Sequence, residues 1–251
     1  MQQFRDRPHA GRLLGQELLR FRGEPAPLIL ALPRGGVPVA FEVARVLKAP
    51  LDIFLVRKLG VPGQEELAMG AIASGGTRVL NDEIVRALRI PERTIDDVEA
   101  RERRNLESRE RLYRGSAPRA AVEARDVILI DDGLATGSTM RAAVSALRAE
   151  RPSRIIVAVP VGAEPTCELL RRVADEVICL RTPQPFQAVG LWYEDFDQVT
   201  DATVRELLRA ASGNGSGGQD ILIPSGGVDL AADLVIPESA RGLVLFAHGS
   251  G

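Results

Sequence analysis

Short continuous apolar runs alternate with amphipathic stripes along most of this chain. Residues 28–32 are all apolar and are ended by Pro33. Ala40, Val43, Ala44 and Leu47 follow at the i, i+3, i+4, i+7 spacing of a helix lying on a sheet. Residues 51–56 read as a second strand, 127–130 as a third, 155–159 as a fourth and 176–180 as a fifth. Helical stripes recur at Met140, Ala143, Val144 and Leu147, at Leu169, Leu170 and Val173, and at Val204, Leu207, Leu208 and Ala211. Strands without internal polar alternation are buried on both faces. The pattern therefore predicts an α/β fold, a parallel sheet flanked by helices. Ligands of such folds bind beyond the C-terminal strand ends, so residues just after strands are the functional candidates.

Three stretches depart from this rhythm. Residues 68–73 and 77–80 flank Gly75 and Gly76, a hairpin signal. Residues 81–114 are charged, with Ile95, Val98, Leu106, Leu112 and Tyr113 as spaced apolar positions, and predict one or two exposed helices. The mixed charges there, such as Glu99 and Arg103 at i, i+4, read as a salt-bridged, solvated face. Residues 212–219 are a Gly/Ser-rich linker by composition. Strand-like pieces return at 221–223, 228–230, 234–236 and 243–246. The expected organisation is a main domain over 1–211, a linker over 212–219 and a short strand-rich tail, the truncated start of a second unit, over 220–251.

Composition narrows the chemistry. The chain has 251 residues, 45% hydrophobic and 26% charged, an ordinary globular balance. A formal net charge of -2 argues against a polycation built for nucleic acid. Two cysteines and two histidines, His9 and His248, cannot make a disulfide framework, a four-ligand zinc site or a His-rich centre. No apolar run approaches the roughly 18 residues of a membrane span, and the N-terminus lacks an apolar signal core. The expectation is a cytoplasmic protein with no membrane partner. Of the 32 Lys and Arg residues only Lys48 and Lys58 are lysine, so a lysine in this chain is informative.

The strongest chemical signal is the run Val-Ile-Leu-Ile-Asp-Asp-Gly-Leu-Ala-Thr-Gly-Ser-Thr at 127–139. A buried strand ends at two carboxylates, Asp131 and Asp132. A small-residue loop, Ala135, Thr136, Gly137, Ser138 and Thr139, then opens a helix. A helix N-terminus presents free amides and partial positive charge to an anion. Gly137 admits close backbone approach, and the hydroxyls donate further bonds. No lysine follows the glycine, so this is not a Walker-type loop; it suits a terminal monophosphate. Acceptor-only carboxylates beside it suit a sugar diol or a hydrated Mg²⁺. These residues resemble the signature of the type I phosphoribosyltransferases, and residues 56–60 and 66–70 look like the bacterial xanthine and related purine branches. A receiver domain would need a lysine late in the chain, and none lies beyond Lys58.

The resemblance extends to other residues. Pro33, Arg34, Gly35 and Gly36, after the first strand, look like the family's pyrophosphate loop, with a non-proline cis bond expected at Arg34–Gly35. Lys58 sits where the family often places a cation toward pyrophosphate. Phe186, Trp192 and Tyr193 fall in the family's hood over the base. By this resemblance Asp131, Asp132 and Lys58 carry catalysis. Phosphoribosyl pyrophosphate is taken by Arg34, Gly35, Gly36, Lys58, Asp131, Asp132 and residues 135–139, and the base by Phe186 and Trp192. The cofactor implied is Mg²⁺, weakly held by Asp131 and Asp132 and mostly by substrate. The partners implied are phosphoribosyl pyrophosphate, a nucleobase-like acceptor and a second copy in a homodimer; the context is nucleotide salvage. Ala135 departs from the hypoxanthine–guanine members, which carry an acid there, so the acceptor stays open. A phosphoribosyl pyrophosphate sensor, or an accessory domain of a fused hydrolase, remains the alternative. The tail at 242–251 resembles the first strand and H-G-x-G loop of α/β-hydrolases of the dienelactone type, without a nucleophile elbow.

Overall fold

The computed structural model describes residues 3–115, 117–212, 219–225 and 228–234. Helix α1 (Arg7–Glu17) is capped by the Asp6 side chain, which accepts from the His9 amide. Strand β1 (Leu28–Ala31), helix α2 (Gly36–Leu47) and strand β2 (Leu51–Ile53) form the first β-α-β unit. An excursion then carries β3 (Val56–Val61), β4 (Gln64–Ala73), β5 (Arg78–Leu80), α3 (Asp82–Ala87) and α4 (Glu92–Arg114). The core resumes with β6 (Asp126–Ile130), α5 (Ser138–Ala149), β7 (Arg154–Val161), α6 (Glu164–Leu170), β8 (Glu176–Arg181) and α7 (Asp201–Ala211).

The five core strands run parallel in the order β2-β1-β6-β7-β8, the flanked parallel sheet that the apolar runs predict. Alternate residues of each strand leave on opposite faces. Ile29, Ala31, Ile128, Ile130, Ile156 and Ala158 pack with Leu14, Val43, Leu47 and Val204 of α1, α2 and α7. Leu28, Leu30, Val127, Leu129, Val157 and Val159 pack with Met140, Val144, Leu147 and Leu170 of α5 and α6. Both faces are covered, and the loops after β1 and β6 emerge side by side because those strands are neighbours.

The reading of 51–56 as one strand is corrected. β2 ends at Ile53, where buried Phe54 donates its amide to the Ala31 carbonyl at 2.9 Å. The Leu55 amide turns to the Ser74 hydroxyl, and the chain enters the antiparallel sheet β3-β4-β5. Lys58 therefore lies within β3, paired with Ala71, rather than at the end of a core strand. The hairpin expected across Gly75 and Gly76 is present between β4 and β5. The charged stretch forms two helices, with Ile95, Val98, Leu106 and Tyr113 buried along α4 and Leu112 exposed. Further along, β9 (Gln219–Ser225) and β10 (Val228–Leu234) form an antiparallel pair in which Leu234 closes β10. The pieces expected at 235–236 and 243–246, and His248, lie outside the described residues. No described helix is long and apolar enough to cross a membrane.

The excursion is fastened at its base. Arg114, at the end of α4, donates to Asp52 Oδ1 at 2.8 Å and to the Ile53 carbonyl at 2.6 Å. The second oxygen of Asp52 accepts the Ala120 amide at 3.0 Å. Both side chains of the ion pair are about nine-tenths buried. Arg114→Ala leaves the Asp52 carboxylate buried without its cation and is expected to cost about 3–5 kcal/mol. Urea denaturation of the two proteins measures that loss directly.

Candidate active site

The candidate site is built by two loops that touch. Strand β6 delivers Asp131 and Asp132 to its C-terminal end, and β1 delivers residues 33–36 beside them. The Leu32 amide donates to the Ile130 carbonyl at 2.9 Å and carries the ladder to the edge of the loops. Gly35 lies directly on the Asp132 carboxylate: a Cβ there would fall 2.0 Å from Oδ2. No side chain fits that contact, which accounts for the glycine. Asp131 abuts the next residue, Gly36, and accepts the Asp132 amide at 2.9 Å.

The non-proline cis bond lies at Pro33–Arg34, which corrects the expectation of Arg34–Gly35. Gly35 already has helical dihedrals, and the amides of Gly36 and Val37 bond back to Leu32 and Arg34. The peptide before Gly35 thus belongs to the opening turn of α2.

After the acids, Leu134 bridges to Gly162 and fixes the loop against β7. The Ala135 carbonyl accepts the Thr166 hydroxyl at 2.6 Å. Gly137 takes the left-handed conformation, φ 66°, as the cap of α5. Ala135, Thr136 and Thr139 are exposed, and the Thr136 and Ser138 hydroxyls lie 2.9 Å apart. The first amides of α5 have no helical acceptors. Loop and helix together make an open anion cradle beside two carboxylates.

The other expected residues fall into three places. Lys58 lines a cavity of about 640 Å³ between the β3-β4-β5 sheet and α5, which Ser138 alone of residues 131–139 reaches. Arg34 lies 3.8 Å from Asp201 at the start of α7, and Asp201 also accepts the Tyr113 hydroxyl. Phe186 and Trp192 pack in a cluster with Phe4, Val161 and Tyr193, and the Trp192 Nε1–H is buried without an acceptor. Tyr193 of the same cluster reaches the acids: its hydroxyl donates to the Asp132 carbonyl at 2.6 Å.

Sequence reasoning missed Arg7. Its Nε donates to Asp132 Oδ2 at 2.8 Å, and Nη1 donates to the Asp197 carbonyl at 2.7 Å. The contact spans 125 positions, and a lone arginine near the N-terminus gives no local signal for it.

Comparison with known proteins settles the family. The phosphoribosyl transferase domain profile matches residues 8–191. The chain belongs to the phosphoribosyl transferase domain family. Two proteins of Mycobacterium tuberculosis, strains CDC 1551 and H37Rv, provisionally named phosphoribosyl transferases, are each 42% identical over 264 residues. The match covers all of this chain, which spans 59% of the length of those relatives. The crystal structure of TT1426 from Thermus thermophilus is 47% identical with a TM-score of 0.76, covering 83% of this chain and 98% of that one.

Electrostatics divide the two acids of this phosphoribosyl transferase domain. Burial, and then the neighbouring Asp132 charge, push the Asp131 carboxyl well above the usual carboxylate range. Burial also raises Asp132, against the pull of Arg7. The Tyr193 phenol is pushed up by burial and by Asp132, which keeps it a donor. A carboxyl raised in the folded state favours folding while protonated and loses that contribution as pH climbs toward its folded pKa. Stability should therefore fall between about pH 4, the ordinary carboxyl value, and the folded titration of Asp131. Asp131→Asn keeps the acceptor for the Asp132 amide and removes the charge. It should raise Tm near pH 8 by about 2–4 °C, the effect of roughly 1 kcal/mol in a domain of this size. Melting curves from about pH 5 to 8 in metal-free buffer should show a flatter profile for the variant.

Proposed function

We propose that this chain transfers a ribosyl 5-phosphate group from phosphoribosyl pyrophosphate to a nitrogenous base, with release of pyrophosphate. The observation that carries this reading is the contact of two loops at one acid pair. The glycine loop at 33–36 touches Asp131 and Asp132, and residues 135–139, which open α5, follow those acids directly in the chain. A molecule with a phosphate at one end, a diol in the middle and a diphosphate beyond suits that order.

In this reading Ala135, Thr136, Gly137, Ser138 and Thr139 take the 5-phosphate through amides and hydroxyls. Asp131 and Asp132 accept the sugar hydroxyls. Gly35 and Gly36 bring backbone close to the diphosphate, with Arg34 and Lys58 as its cations. Phe186 and Trp192 offer the face for the base. Bond cleavage builds positive charge on the sugar and negative charge on the leaving diphosphate. The protein acts by holding the ends in line and by fixed dipoles and cations aimed at the leaving charge.

Mg²⁺ accompanies phosphoribosyl pyrophosphate in this family. Among the described residues no three His, Cys, Asp or Glu side chains converge, and Asp132 already gives one oxygen to Arg7. That donor set fits an ion carried largely by substrate oxygens and water, with at most one carboxylate oxygen from either acid. When bound, the ion would neutralise the diphosphate.

A second reading is phosphoribosyl pyrophosphate sensing without transfer, since sensing needs the same pocket; Ala135 bears on the base rather than on this choice. An exposed methyl stands where the hypoxanthine–guanine enzymes hold an acid for the base. The homodimer, the salvage role and a hydrolase-like unit from residue 220 onward belong to the proposal as well. Calorimetry with phosphoribosyl pyrophosphate and Mg²⁺, followed by pyrophosphate release with a panel of bases, tests the two readings. Transfer predicts release with at least one base, and sensing predicts binding with release from none. Asp131→Asn combined with Asp132→Asn should weaken binding about 150-fold or more, the loss of a charged hydrogen bond at about 1.5–3 kcal/mol from each acid. Unchanged affinity would remove the diol assignment.

A further inference from the structure

Resting on the proposed reading, we infer that Arg7 is a positioning residue for the site: it fixes the Asp132 carboxylate against the 33–36 loop. The geometry is specific. Asp132 Oδ2 lies between the Arg7 guanidinium, at 2.8 Å, and the Gly35 backbone, where even a methyl group would collide. The Arg7 and Asp132 side chains are 10% and 15% exposed. Any shift of that oxygen therefore displaces either the cation or the loop.

Arg7 is itself held on every side. Asp6 caps the helix that carries it. Nη1 is bonded to the Asp197 carbonyl, and the guanidinium carbon lies 3.8 Å from the Phe196 ring centroid. Phe196 packs on Tyr193 at 5.0 Å, and Tyr193 in turn donates to the Asp132 carbonyl. The carboxylate and the carbonyl of one aspartate are thus gripped by neighbouring parts of one cluster, drawn from the start of the chain and from the segment after β8. A lysine cannot reproduce this, because only a guanidinium forks between two acceptors while stacking on a ring.

A salt bridge that merely stapled α1 to the core would give a different result from one that sets Asp132. Calorimetry separates them, since partial unfolding lowers the binding stoichiometry and a displaced Asp132 raises Kd. Arg7→Met is expected to weaken phosphoribosyl pyrophosphate binding at least tenfold at full stoichiometry. Arg7→Lys is expected to fall between wild type and the methionine variant, and to serve alone if the latter does not fold. In turnover the KM for phosphoribosyl pyrophosphate should rise while the KM for the base stays unchanged. Millimolar guanidinium added to the methionine variant should recover part of the affinity. A Kd within twofold of wild type in Arg7→Met overturns the inference alone, as does a Kd within twofold in Arg7→Lys where the methionine variant does not fold. Wild-type protein that does not bind phosphoribosyl pyrophosphate overturns the proposed function, and this inference with it.

Discussion

The site depends on one close contact, the Gly35 backbone lying on the Asp132 carboxylate. It exists because β1 and β6 are hydrogen-bonded neighbours whose C-terminal ends coincide. The sheet brings the two loops together, and the missing side chain lets them meet. Asp132 has a buried oxygen at that contact, so it requires a cation, and Arg7 is the cation that reaches it. The N-terminal helix is consequently part of the site's frame as well as a cover for the sheet.

The two faces of the sheet contribute differently. One face is closed by α1, α2 and α7, and these elements bring Arg7, the opening of the glycine loop and Asp201. The other is closed by α5 and α6, which carry the anion cradle and the Thr166 hydroxyl that ties it down. Each half of the candidate site is thus braced by its own core cluster. The acids at the end of β6 stand where the two meet.

What is legible in the sequence is local. Residues 127–139 read as strand, acids, loop and helix because every part of that device is contiguous. The continuous apolar runs reveal the parallel sheet for the same reason: burial on both faces leaves its mark in each strand separately. Lys58 reads as the end of a strand that in fact stops at Ile53, since two buried residues, Phe54 and Leu55, extend the apolar run through the turn. The cis bond is displaced by one residue from its expected place because a glycine pair does not reveal where the helical turn begins. Arg7 and the Tyr193 hydroxyl are invisible in their roles. Their contacts to Asp132 span 125 and 61 positions, and only the folded sheet brings them within reach.

The clamp of Arg114 on Asp52 and Ile53 bears on how strain passes into the domain. It closes the long insertion between the second and third core strands at its root, within the interior, while the outer β3–β4 turn stays solvent-facing. Strain applied at the outer turn is therefore met first by a guanidinium hinge-pin at the root, with Leu59, Met69 and Ile72 of the same excursion already seated in the main core.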